Sequence, residues 1–429
     1  MHHHDAHDHH HPHTHGHGHD HGHAHGHDHH HHHGDHHHDH GHDHAPVRDR
    51  THHHSRRDFF GLTFGGVLAG ATVLEEAFLR AGWARAQSNT ADTNLFDIQK
   101  IADGVYAAIA KPQILTNCNA AIFVGAREVV IVDAHSKPSA ASALIAQIRK
   151  DITTKPVRYL INTHFHWDHS QGDRAYKAAA NGGKFDIIAS QTTKEWLVAQ
   201  GRNRMKESLE AVPGQIDTLR ARMAKNPAEK AFCEDNIRKL QAYQAEMKDY
   251  PLELPTITFA KEYEIKDPAG DLHLAFHGKA HTAGDIAVYC PQKKVVASGD
   301  VVIGFLPNLG DGYPRPWPKT IDSIGGLDFN RVIPGHGPVH TDKSRMGQLR
   351  NYIEDLTGRV EAAKKAGKPL DEVKKTITVA SLPTFKSNGY GAWVDDNLKK
   401  YGVYIGARTA LEDRLTQNIE AIYKNLDRV

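Results

Sequence analysis

Cysteine is scarce: three residues, Cys118, Cys233 and Cys290, in a chain of 429. That excludes a small disulfide-stapled scaffold, which needs several bridges in a short sequence. Long apolar runs are missing as well. No uncharged stretch approaches the roughly 20 residues of a spanning helix, which excludes a multi-span membrane protein. Neither sign of charge dominates, with 52 Lys+Arg against 51 Asp+Glu, so the broad basic balance of a nucleic-acid binder is absent. What remains is enough chain for one large core or two small ones.

Histidine is the residue in excess. There are 38, of which 29 precede residue 55, leaving nine for the rest. Residues 1–54 form a His/Asp/Gly tract without apolar periodicity, which cannot offset the ordering entropy of a fold and reads as a disordered tail. Dense imidazoles with interspersed carboxylates suit zinc, nickel or copper, so metal buffering is one reading and a solvated low-complexity tail the other.

Next come Ser55-Arg56-Arg57-Asp58-Phe59-Phe60, the weakly apolar run from Phe59 to Leu74, and Ala84-Arg85-Ala86. The order is that of n-region, h-region and small-x-small cleavage site. The paired arginines resemble a twin-arginine export signal. Residues 55–86 are therefore expected to engage the twin-arginine export machinery and be removed, giving a periplasmic protein with no retained membrane span. Glu75-Glu76 blurs the cut. A tail lying before the signal is either a cytoplasmic metal reservoir or the product of a misplaced start, with Val47 as the alternative. Cleavage after Ala86 removes six Lys+Arg and eleven Asp+Glu, leaving 46 against 40, a net +6. Folding before export forms few disulfides, so the three cysteines are expected to be free.

Beyond the signal, short β-branched runs bounded by Gly, Asn or Asp read as strands: Gly104–Ile109, Ala120–Val124, Val129–Asp133 and Val157–Ile161, with a helix over Ser139–Lys150 between the last two. From Thr192 to Tyr250 the apolar spacing becomes helical, with Pro213 and Pro227 expected at helix starts. This insertion either caps a cleft, stands as a solvated hairpin or makes a dimer contact. Strands resume at Thr256–Phe259, Leu272–Phe276 and Ile286–Tyr289. After Thr341 the chain is mainly helical, with a break around Ser381–Gly391. Strands interleaved with helices predict a layered α/β domain, with residues 87–343 as its body and 344–429 as a helical C-terminal extension.

The chemistry concentrates in Asn162-Thr163-His164-Phe165-His166-Trp167-Asp168-His169-Ser170-Gln171-Gly172. Three histidines and a carboxylate within six residues follow a strand directly, and side chains two apart point the same way there. His164 and His166 can bind one cation while the turn carries Asp168 and His169 to a second. Three further segments share the form of apolar strand, small residues, potential ligand: Ala280-His281, Ser298-Gly299-Asp300 and Pro334-Gly335-His336. A sheet presents ligands at one edge in this way.

His164-x-His166-x-Asp168-His169 followed by His281, Asp300 and His336 resembles the metallo-β-lactamase superfamily across roughly Asp97 to His340. The resemblance implies an αββα sandwich. It implies His164, His166 and His281 on a first metal, Asp168, His169 and His336 on a second, and Asp300 bridging them. Asp133 would support the ligand loops. Such a donor set suits two Zn2+ ions per chain, with iron or manganese as alternatives. A bridging hydroxide would then hydrolyse a small ester, lactone, thioester or amide, with Asp168 orienting it. The carboxylate at 300 is similar to the glyoxalase II and lactonase branches, whereas zinc β-lactamases usually place Cys or Ser there. β-Lactam hydrolysis is the named alternative. From a different class come a metal-storage protein and a mononuclear iron oxidoreductase. The loop from Phe305 to Tyr313 is expected to wall the cleft, with Asn308 or Tyr313 donating to an oxyanion; ordinary turn chemistry is the competing reading. His135, His273 and His277 are expected to be structural or to support the ligands from behind rather than to be ligands themselves.

Overall fold

The computed structural model describes residues 95–428 except 116, 181, 405 and 406. The His-rich tail, the export segment and the expected cleavage site lie outside the described residues.

The first half of the chain builds a mixed sheet. Strands β1 (Phe96–Ala102), β2 (Val105–Ala110), β3 (Ala120–Val124) and β4 (Val129–Val132) form an antiparallel meander. Helix α1 (Pro138–Asp151) then crosses over to β5 (Val157–Ile161), which pairs parallel to β4. Pro138 sits in its first turn, where a missing N–H costs nothing, and Ala140, Ala141, Leu144, Ile145 and Ile148 make its buried face. Short helices α2 (Trp167–Ser170) and α3 (Asp173–Ala179) lead to β6 (Asp186–Ser190). After the insertion, β7 (Ile257–Phe259) closes the sheet in the order β1-β2-β3-β4-β5-β6-β7.

The insertion comprises α4 (Gln191–Trp196), a π-turn at Leu197–Gly201, α5 (Arg202–Lys225) and α6 (Lys230–Met247). Pro213 does not start a helix as its type suggested: α5 runs through it. A proline in a helix interior is costly, and here it lies between Val212 and Ile216, whose burial against α6 and against Ile114 and Leu115 holds the helix. Tertiary packing overrides local preference. Pro227 does open a turn, of 3-10 type.

Strands β8 (Glu262–Ile265), β9 (Leu272–Ala275), β10 (Ala287–Cys290) and β11 (Val295–Gly299), then helix α7 (Trp317–Gly325) and strand β12 (Arg331–Pro334), make the second sheet, ordered β12-β11-β10-β9-β8 with only β11 and β12 parallel. The two sheets meet face to face through Val105, Ile109, Phe123 and Val132 on one side and Leu272, Leu274, Val288 and Val295 on the other. The outer face of the first sheet carries α1 and α3. On the second lie α7, α8 (Ser344–Lys365), α9 (Leu370–Thr376), α10 (Tyr390–Tyr401) and α11 (Leu411–Asn425).

The architecture is thus the αββα sandwich expected, with a helical C-terminal region. Residues beyond 343 share one apolar core with Val296 and Val332 of the second sheet, so they form its outer layer rather than an appendage. Strands β1, β6 and β8 had not been singled out in the sequence. In β1 the exposed Gln99 and Lys100 are consecutive and break the alternation, and β8 is only four residues long with two exposed glutamates.

Candidate metal centre

Most groups of the site lie just beyond the C-terminal end of a strand, with Asp168 and His169 on the short helix α2 after β5. Asp133 follows β4, His164 and His166 follow β5, Asp300 follows β11 and His336 follows β12. Parallel pairing of β4 with β5 and of β11 with β12 puts these ends at one edge. His281 joins them from the loop between β9 and β10.

The seven residues expected from the sequence come together there. His281 Nε2 lies 2.9 Å from His166 Nδ1 and 3.3 Å from Asp300 Oδ2. His336 Nε2 lies 3.2 Å from His169 Nε2, 3.1 Å from Asp168 Oδ2 and 3.5 Å from Asp300 Oδ2. The rings of His164 and His169 are centred 4.2 Å apart. Asp300 touches members of both groups.

Hydrogen bonds decide which nitrogen each histidine presents. Asp133 Oδ2 accepts from His169 Nδ1 at 2.8 Å and from the Thr163 hydroxyl at 2.9 Å, while its Oδ1 accepts from Thr163 N. Since that hydroxyl's proton goes to Asp133, its oxygen accepts from His164 Nδ1 at 3.0 Å. His166 Nε2 donates to Asp311 Oδ2 at 3.0 Å. His164 Nε2, His166 Nδ1 and His169 Nε2 are therefore left unprotonated on the inward side, His166 Nδ1 toward His281 Nε2 and His169 Nε2 toward His336 Nε2, the form a metal requires. His164 Nε2 and Asp300 Oδ1 are buried without a hydrogen-bond partner. Buried acceptors aimed at one another fit a cation between them.

The electrostatics agree. Burial pushes His164 well below its ordinary value and His281 down to about 3. Burial also opposes charge on His169 and His336, yet their neighbours raise both, Cys118 and then Asp133, Asp300 and Asp168 for the first, Asp300 and Asp168 for the second. Against the cost of burial, His169 and His336 hold the Asp168 carboxyl below the usual range. The acids demand positive charge at this edge.

Close packing is built in. A Cβ on Gly335 would fall 1.9 Å from Asp300 Oδ1. Gly299, at φ 50, lets the backbone turn beside Thr163. Asp133 and His135 sit at φ 67 and 70, a left-handed conformation uncommon outside glycine that surrounding structure must hold.

Two groups had escaped the sequence reading. Asp311 anchors His166, and Arg204 of α5 grips both Asp311 oxygens at 2.7 and 3.1 Å while lying 4.8 Å over the Phe165 ring. An acid between two glycines, Gly310-Asp311-Gly312, was the available signal for the first. Arg204 had none, being one cation among many in a helix. The insertion thus buttresses the ligand loop, with Tyr243 of α6 also donating to Gln171 at 3.0 Å. From the other side, α11 pins the Asp311 loop: Asn418 Nδ2 donates to Pro307 O and Asn425 Nδ2 to Gly310 O.

The remaining candidates lie outside the cluster's own hydrogen bonds. Asn308 Oδ1 accepts from Gly310 N within its own turn. Tyr313 N donates to Ala280 O, and Lys279 lies 5.1 Å above its ring. His135 Nδ1 bonds Cys118 O, His273 pairs with Glu264 at 3.4 Å, and His277 bonds Ser323. The three cysteines are free and buried, and burial pushes the Cys118 thiol up to about 12.

Residues 114–336, a span that contains all seven converging side chains, match the model of the metallo-beta-lactamase superfamily. Among curated relatives, the linear primary-alkylsulfatase of Pseudomonas sp. (strain ATCC 19151) is 23% identical over 299 residues, 65% of this chain and 54% of its own. The alkyl/aryl-sulfatase BDS1 of Saccharomyces cerevisiae is 24% identical over 351 residues, 76% and 50% respectively. Metallo-beta-lactamase type 2 of Bacillus cereus is 30% identical over 103 residues, 20% and 40%. The chain spans about half the length of the sulfatases it matches. A solved metallo-beta-lactamase from Pontibacter korlensis aligns with a TM-score of 0.43 at 18% identity, covering 59% of this chain and 98% of that one.

Proposed function

The chain belongs to the metallo-beta-lactamase superfamily of hydrolases, and from that premise we propose that it is a two-metal hydrolase of small ester-type substrates. The observation that carries this reading is the convergence of seven His and Asp side chains, three of whose imidazoles are oriented by hydrogen bonds on the side away from the cluster. His164, His166 and His281 would hold one cation, Asp168, His169 and His336 the other, with Asp300 shared. Zinc suits this set, and iron or manganese use similar donors. When bound, such a pair lowers the pKa of water to about 7 and polarises the bond to be broken.

The protein's own part is orientation. Asp133 and Asp311 lock the rings, and Asp168 accepts a hydrogen bond from the attacking water and aims it. Carboxylic esters, lactones, thioesters and amides form the substrate class, with β-lactams as the named alternative. Similarity to two proteins named as sulfatases, over 65% and 76% of this chain, favours sulfate esters as a second reading. Asn308 and Tyr313 stay proposed as oxyanion donors from the sequence alone, as does export through Arg56-Arg57, which fractionation of an Arg56→Lys/Arg57→Lys variant tests.

The test counts tightly held ions on the protein lacking residues 1–86 and assays ester, lactone, thioester, β-lactam and alkyl sulfate substrates, with Asp168→Ala as control. About two ions and turnover abolished in the control are expected. A protein holding no ion and cleaving nothing would sink the reading, and iron accompanied by oxygen uptake would move it to an oxidoreductase.

A further inference from the structure

Half-buried arginines in this fold find acceptors. Arg158, Arg204, Arg222 and Arg359 each take a carboxylate, and Arg428 takes Gly310 O. Arg414 of α11 does not. It is half-buried as well, and its Nε is enclosed with no acceptor. Among the described residues no carboxylate, carbonyl or aromatic ring receives its guanidinium. Burial pulls its pKa down to about 10, opposed only by the phenol of Tyr352 on α8. A guanidinium does not shed its proton in a protein, so the charge stays where burial penalises it.

The two ends of the group are placed differently. Nε is closed off, whereas Nη1 and Nη2 have neither a partner nor full enclosure and still meet solvent. The cation thus sits in a recess, surrounded by protein and open at its tip. The recess belongs to the helix face that holds the Asp311 loop. One turn on, Asn418 donates to Pro307 O and to the Tyr352 hydroxyl, and Asn425 donates to Gly310 O. Spacings of four and eleven keep all three side chains on one side of α11. The two asparagines are spent on the loop; the fork of Arg414 is offered to nothing in the chain.

Two adjacent nitrogens on a permanent, partly dehydrated cation match two oxygens of one carboxylate or sulfate, and a neutral carbonyl would leave the charge uncompensated. We propose that Arg414 anchors an oxyanion-binding site between α8, α11 and the loop at Pro307, taking a carboxylate or sulfate end-on through Nη1 and Nη2. The anion is either free or the charged end of a substrate, and the experiment separates the two.

The test follows the melting temperature of the full chain, treated with chelator, as sodium sulfate or sodium acetate is added, with chloride at equal ionic strength as the control. Wild type is expected to gain stability saturably with sulfate or acetate, beyond chloride. Arg414→Met is expected to lose that response and, without anion, to melt no lower than wild type, because an unmatched charge is gone. Arg414→Lys keeps the charge and loses the fork, so its affinity is expected to be on the order of tenfold weaker; it carries the comparison if the Met variant does not fold. A wild type that responds to sulfate and acetate no more than to chloride overturns the site. So does either variant binding these anions as tightly as wild type, which would leave Arg414 a structural residue. On the zinc-loaded protein, KM rising about tenfold in Arg414→Lys for an anionic ester and not for a neutral one assigns the anion to the substrate; equal KM values assign a free anion. Because the titrations use unloaded protein, they are read even where the hydrolase reading fails.

Discussion

The histidines at the strand ends and His340, four residues beyond His336, are buried to similar degrees and are built differently. His164, His166 and His169 each give one ring nitrogen to a fixed partner, Thr163, Asp311 or Asp133, and turn the other inward. His340 is 4% exposed, and neither of its ring nitrogens has a hydrogen-bond partner. It packs edge-on to Trp393 of α10 with ring centroids 5.8 Å apart. Burial alone makes a histidine neutral; a hydrogen bond on its far side makes it an oriented ligand. The contrast separates a centre from a packing residue.

The largest effect is expected at the oriented cluster. On the proposed two-metal reading, Asp168→Ala would remove a donor to the second cation together with the group that aims water, and turnover should fall on the order of 10³-fold, about 4 kcal/mol of barrier. Steady-state rates beside a metal count check it, and retained activity would break the comparison at its strongest point.

At His340 the expected effect is on stability. Burial pushes its pKa down to about 4 from an ordinary 6.5, with Asp342 opposing and Arg345 reinforcing the shift. The unfolded chain then binds the proton first as pH falls. No stability is lost above pH 6.5, and about 3 kcal/mol is lost progressively between 6.5 and 4. His340→Phe should flatten denaturation midpoints across that window, whatever it does to stability at neutral pH. An unchanged slope would show that other groups carry the acid sensitivity.

Smaller again is the effect of loosening one orienting partner. Asp311→Ala should weaken metal binding about 10- to 100-fold in chelator competition, leaving His166 in place but free to rotate. Smallest is Arg204→Lys, which keeps the charge but loses the two-pronged grip on Asp311. A loss below about tenfold is expected on the same scale. Equal losses in the two variants would mean that the fork geometry of Arg204, rather than its charge, holds the carboxylate.

Much of the centre was readable along the chain. His164 to His169 is a local cluster on a strand-to-turn segment, and His281, Asp300 and His336 each follow an apolar run ending in small residues. Other features were not. Consecutive exposed Gln99 and Lys100 broke the alternation of β1, β8 was too short to show one, and the continuous α5 contradicts the helix-breaking habit of Pro213 because burial outweighed it. Asn308 and Tyr313 drew notice as polar residues in a Gly/Pro loop, a pattern that ordinary turns share.

Residue order alone was enough for the layered α/β class and the helical character of the insertion, which depend on neighbours within a few positions; local segments marked the seven residues as candidates, and a family resemblance joined them. Only the folded chain could couple His166 to Asp311 across 145 positions and Asp311 to Arg204 across 107. It alone could turn the insertion into a buttress of the ligand loop, through Arg204 and Tyr243. Those facts depend on which atoms face each other after two sheets have packed, and no spacing along the backbone encodes that.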